Sequence, residues 1–106
     1  MKKAIWFSRH PLSISQREEI SSMGFSVEER IDLGSINISD EDDAQEVYAK
    51  LAKESPTAIF GVFAAPIAGE FFARKSKIKL FAAWNIMRSI DGGKPSFAHK
   101  KFVQIG

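Results

Sequence analysis

Residues 57–69, TAIFGVFAAPIAG, constrain this chain more than any other stretch. Positions 57–63 are apolar on both faces, whereas a half-exposed strand would alternate. They therefore predict a strand covered on both sides, as at the centre of a parallel sheet. Pro66 suits the first turn of a helix, where its missing N–H costs nothing and its fixed φ is already helical. Ala64, Ala65 and Gly69 keep the turn lean enough for a ligand to approach the backbone. A helix start of this kind, with free N–H groups and the positive end of the dipole, attracts anions. Neither GxGxxG nor GxxxxGK[ST] is present, so a plain core strand with its crossover stands beside the anion-site reading.

The rest of the chain alternates strands with helices, without an internal repeat. Residues 3–8 (KAIWFS) form a first strand, and Pro11 ends it. Ser13 with Gln16 makes a capping-box pattern, and Ser15 with Glu18 a second candidate, for a helix reaching about Met23, with Gly24 as its stop. Residues 25–33 (FSVEERIDL) read as a weaker strand nearer an edge. Residues 34–43 read as an acidic loop entering a helix capped by Ser39. Ala44, Val47, Tyr48, Leu51 and Ala52 share one face of that helix, and Tyr48 there reads as core. Residues 78–84 (IKLFAAW) form a fourth strand. Residues 85–90 and 95–105 around Asp91-Gly92-Gly93-Lys94 form a β-hairpin, since such turns need φ > 0. In its last strand Phe97, His99, Lys101, Val103 and Ile105 alternate onto one face, which puts His99 at solvent or a subunit interface.

Strands alternating with helices predict a single α/β domain over residues 1–106, with a mostly parallel sheet flanked by helices and a C-terminal β-hairpin. In such sheets ligands bind beyond the carboxyl ends of the strands. That rule selects Ser8, Arg9 and His10 after the first strand, Ala65, Pro66 and Ile67 after the pivot strand, and Trp84, Asn85 and Arg88 after the fourth. Two guanidinium groups, an imidazole, a hydroxyl, an amide and a helix start suit phosphate, which Arg grips bidentately. Trp84 offers a face for a base. Each also has a plain reading: loop for His10, core for Trp84, solvated hairpin for Arg88.

Composition narrows the chemistry. The 106 residues hold no cysteine, which removes disulfides and thiolate catalysis and favours the cytoplasm. No run of residues is long and apolar enough to suggest a membrane span. No His/Asp/Glu spacing suggests a metal, and no carboxylate pair falls at the ligand edge, so neither metal nor cofactor is expected. Residues 1–56 carry seven basic and eleven acidic groups, and residues 57–106 eight and two. The basic second half fits an anionic partner, or merely cations at a helix C-terminus in Arg74, Lys75, Lys77 and Lys79.

FSRHPLSISQREEI, AIFGVFAAPIAGEF and IKLFAAWNIMRSIDGG…FAHKKFVQI together resemble the small stand-alone CRISPR-associated Rossmann-like proteins (CARF-related), a group that includes ring nucleases. The likeness leaves out residues 28–54. It implies a Rossmann-like homodimer that binds a cyclic oligoadenylate, cyclic tetra-adenylate first among them, across its two-fold axis. It also implies metal-independent cleavage, a ribose 2′-hydroxyl attacking the adjacent phosphate. On this resemblance His10 is an acid/base or leaving-group contact, and Arg9 and Arg88 clamp phosphate. Asn85 orients a ribose or phosphate oxygen, and the main chain at Ala65–Ile67 faces a phosphate. Duplex nucleic acid is not an expected partner. Three functions stay open: a ring nuclease, a cyclic-nucleotide binder without turnover, and a small phage- or plasmid-type α/β protein acting through protein contacts.

Overall fold

The fold is seen in a computed structural model. It describes residues 2–63, 65–91 and 94–106, with the side chains of these other than at 41, 84–91, 94–98 and 100. In chain order the elements are β1 (Lys2–Phe7), α1 (Ile14–Ser22), β2 (Phe25–Glu29), α2 (Ile31–Gly34), α3 (Glu41–Lys53), β3 (Ala58–Gly61), α4 (Ala65–Ala73), β4 (Lys79–Asp91) and β5 (Lys94–Gln104). The strands form a five-stranded sheet in the order β2-β1-β3-β4-β5. β1 to β4 run parallel, and β5 runs antiparallel to β4. This is the mostly parallel, Rossmann-like α/β sheet that the sequence predicts, ending in an antiparallel pair.

Alternation along β1 explains how the sheet is covered. Ile5 and Phe7 face one side, where they pack with Val47 and Leu51 of α3 and Ile67 and Phe71 of α4. Ala4 and Trp6 face the other, with Ile20 of α1, Phe25, Phe60 and Phe102. β3 lies at the middle of the sheet, and all four of its residues are buried. Gly61 is required there because a β-carbon would overlap the Phe7 carbonyl of the neighbouring strand. α1 begins at the expected capping box, with Ser13 Oγ accepting the Gln16 N–H and Gln16 Oε1 accepting the Ser13 N–H. Gly24, at φ 89°, turns the chain out of it.

Four expectations are corrected. The strand predicted over 25–33 stops at Glu29, and residues 31–34 form the short helix α2. The Arg30 N–H still donates to the Trp6 carbonyl of β1 at 2.9 Å, while the Arg30 carbonyl accepts the Gly34 N–H at 3.1 Å and opens the helical turn. The Arg30 guanidinium binds Asp32 through Nε and Nη2 (3.0 and 2.9 Å) and pairs with Glu54. α3 is capped one residue later than expected. Asp40 Oδ1 accepts the Asp43 N–H at 2.9 Å, while Ser39 donates to Asp43. The fourth strand and the first hairpin strand are one continuous β4 of 13 residues.

The fourth correction concerns β5. Its register against β4 shifts between Trp84 and Asn85, where Lys100 is the extra residue, and between Met87 and Ser89, where Arg88 is. An extra residue reverses the alternation. His99 therefore shares a face with Phe102, their rings 4.6 Å apart, and not with Val103 and Ile105. Its side chain is only 5% exposed, and Nε2 lies 3.0 Å from Glu19 Oε1 of α1. The predicted solvent position of His99 is thus overturned.

Candidate functional site

β1 leads through α1 to β2 on one side of itself. The chain then crosses back over β1 through α2 and α3 to enter β3 on the other side. The connections leaving β1 and β3 consequently part company, and a crevice opens beyond their carboxyl ends. A cleft of about 690 Å3 lies there, within the range of small-molecule sites. Ser8, Arg9 and His10 following β1, Val62 and Phe63 following β3, and residues 34–38 from the last residue of α2 onward line it, with Phe7 and Ile67 below.

Each wall is fixed by hydrogen bonds. Ser8 is buried, and its Oγ accepts the His10 N–H at 3.2 Å, closing a tight turn. That turn leaves the Arg9 and His10 side chains exposed, and among the described residues neither has a hydrogen-bond or ionic partner. The opposite wall is tied at both ends. Ser35 Oγ donates to the Ile31 carbonyl at 2.8 Å. Ser39 donates its N–H and its hydroxyl to Asp43 Oδ2 at 3.0 and 2.8 Å. Those bonds, the backbone N–H of Ser39 first and its hydroxyl second, hold the Asp43 carboxyl below the usual carboxylate range. Asp32 is likewise lowered, chiefly by its hydrogen bond to Arg30. Gly34 brings the two walls together, because a β-carbon there would overlap the Ser8 backbone.

The cleft has a polar rim, Arg9, His10, Ser35 and Asn37, and an apolar side. Ile36 and Val62 on that side are 36% and 60% exposed, and the Phe63 ring stacks on Phe7 at 5.9 Å. No carboxylate lines it among the described residues. This arrangement suits a ligand with an anionic group and a flat apolar body. No significant match was found among known protein families, curated proteins or solved structures.

Of the residues selected from sequence, Ser8, Arg9, His10 and Ile67 meet at this cleft. Ala65 stands exposed at the start of α4. Pro66 has no N–H to offer, and it borders a second cleft of about 430 Å3 with Asp40 and Glu70. The acids of that second cleft are already engaged. Asp40 caps α3, and Glu70 pairs with Arg74 at 3.1 Å. Trp84, Asn85 and Arg88 lie inside β4, beyond its last pairing with β3 at Ala82. Their side chains, and Ala64, fall outside the described residues. Arg88 is six residues past Ala82, which at the strand rise places its backbone roughly 20 Å further on. Strand geometry thus separates it from the level of Ser8. The wall at 35–38 and the pair Val62–Phe63 were missed from sequence. The signal for the first was the polar run GSINIS directly after β2 and α2.

Among the described residues no three His, Asp or Glu side chains stand close enough to hold a metal ion. No helix there is long and apolar enough to cross a membrane.

Proposed function

We propose that this chain binds a nucleotide-type phosphate ligand in the cleft between β1 and β3. Following the family it resembles, the ligand is a cyclic oligoadenylate, cyclic tetra-adenylate first, held by a homodimer in the cytoplasm. The observation that carries the reading is Arg9 and His10, without a side-chain partner among the described residues, at the mouth of a cleft of about 690 Å3 at the topological switch point of the sheet. A guanidinium there fits a phosphate, and the apolar side fits a base.

Cleavage in this scheme is transesterification. The ribose 2′-oxygen bonds to the adjacent phosphorus and loses its proton to solvent. The bond from phosphorus to the 5′-oxygen breaks, and the 5′-oxygen takes a proton from His10. A 2′,3′-cyclic phosphate and a 5′-hydroxyl result. Arg9 offsets the charge that develops on the phosphoryl oxygens. With no carboxylate among the described lining residues, the rate rests on positioning and charge stabilisation. That same feature favours a second reading, a binder that holds the ring without cutting it.

Incubation with cyclic tetra-adenylate, read by chromatography, separates the two. Linear products that persist in excess chelator support the nuclease. An unchanged ring with measurable binding supports the binder, and no binding sinks both. His10→Ala is expected to slow cleavage by about 10²–10⁴ with binding nearly intact. Arg9→Ala is expected to weaken binding by roughly ten- to a hundredfold, the worth of a charge-assisted hydrogen bond. Wild-type affinity in Arg9→Ala would remove the phosphate contact from the scheme.

A further inference from the structure

The loop carrying Arg9 and His10 is held from behind. The Trp6 indole, 2% exposed on the α1 face of the sheet, donates from Nε1 to the His10 carbonyl at 2.7 Å. Trp6 stands opposite Glu29 in the pairing of β1 with β2. Glu29 Oε1 in turn accepts the Leu12 N–H at 3.0 Å and is gripped by Arg17 Nη2 of α1 at 3.1 Å. Two tethers from adjacent strand ends thus fix the loop at residues 10 and 12. Both approach from the α1 side, while the cleft opens on the side of α3 and α4. A buried indole N–H must find an acceptor, and here the acceptor is the backbone of the candidate acid.

We propose that Trp6 and Glu29 are positioning residues, which hold the 8–12 loop in the one conformation that aims Arg9 and His10 into the cleft. The inference rests on the ligand reading of that cleft. Fixing the loop before the ligand arrives removes an ordering cost from binding. Neither side chain lines the cleft, so neither acts by contact.

The test pairs loop dynamics with affinity. Trp6→Phe keeps an aromatic ring in the core, smaller than the indole, and removes the donor. Glu29→Ala removes the acceptor, whereas Glu29→Gln keeps an oxygen for Leu12. Backbone 15N relaxation of the free protein is expected to show order parameters at Arg9, His10 and Leu12 near 0.85 in the wild type and Glu29→Gln. In Trp6→Phe and Glu29→Ala they should fall below about 0.6. Affinity for cyclic tetra-adenylate is expected to drop about three- to tenfold in the same two variants and to be restored in Glu29→Gln. A purely structural role would lower melting temperature without loosening this loop selectively. Unchanged order parameters overturn the proposal, as does a loosened loop with wild-type affinity. If the wild type binds no cyclic tetra-adenylate, the ligand reading fails, and the relaxation data alone decide whether the tethers hold the loop.

Discussion

Gly34 is a small residue on which two walls of the cleft depend. Its backbone lies so near Ser8 that any side chain must push the two apart. Gly34→Ala is expected to cost about 1–3 kcal/mol, as for overpacking elsewhere. It should also weaken ligand binding, because the wall at 35–38 moves with it. Urea denaturation checks the first effect and titration the second; a variant as stable as the wild type would show that the contact is slack. Asp43 makes a different prediction. Its folded pKa is lowered by the Ser39 bonds, so the folded state binds a proton less readily than the unfolded one. Its contribution is present above the unfolded pKa and is lost as pH falls through the folded value. Melting temperature should therefore decline in the acid range, and less steeply in Asp43→Asn. Equal slopes would mean that the Ser39–Asp43 contact adds nothing to stability.

Among the elements, α1 and β5 are joined by one carboxylate. Glu19 Oε1 meets His99 Nε2 at 3.0 Å, and Oε2 accepts the Phe102 N–H at 2.9 Å. Glu19→Ala leaves both partly buried groups unpaired, an expected loss of about 1–3 kcal/mol. Denaturant unfolding measures it, and a loss under a few tenths would show that water replaces the carboxylate. This contact was invisible in the sequence. Strict alternation put His99 on the far face, and a single extra residue at Lys100 reversed it. Local patterns were legible where they were self-contained, as in the Ser13–Gln16 box, the apolar run of β3 and the stripe of α3. They failed where a distant partner decided the outcome. At Ile31–Gly34 a helix stands where a strand was expected, and there Arg30 binds Asp32 and the distant Glu54. Half of the site was legible for a related reason. The order of strands and helices locates the carboxyl edge, and so Ser8, Arg9 and His10. It does not say how far β4 runs before it turns.

The length of β4 shapes the whole molecule. Arg9 and Arg88 were both expected to clamp phosphate, and their backbones stand at different levels beyond the last β3–β4 pairing. Arg9 stands two residues past Phe7, which pairs with Gly61, and Gly61 pairs with Ala82. Arg88 is six residues past Ala82 along an extended strand, which at about 3.3 Å per residue carries its backbone roughly 20 Å beyond that level, whereas Arg9 is two residues past it. A ring of several nucleotides presents several phosphates, and among the described residues one protomer brings a single guanidinium to the cleft. A second copy related by a two-fold axis would supply its own Arg9 to the same ring. Three outcomes are expected together. Light scattering should give twice the 11.8 kDa protomer mass with cyclic tetra-adenylate present. Calorimetry should give one ring per two chains. Arg9→Ala should weaken binding far more than Arg88→Ala, since Arg9 lines the cleft and the Arg88 backbone lies well beyond Ala82. A monomeric mass with ligand bound would remove the two-fold arrangement. An Arg88→Ala loss as large as that of Arg9→Ala would instead bring the β4–β5 arm into the binding surface.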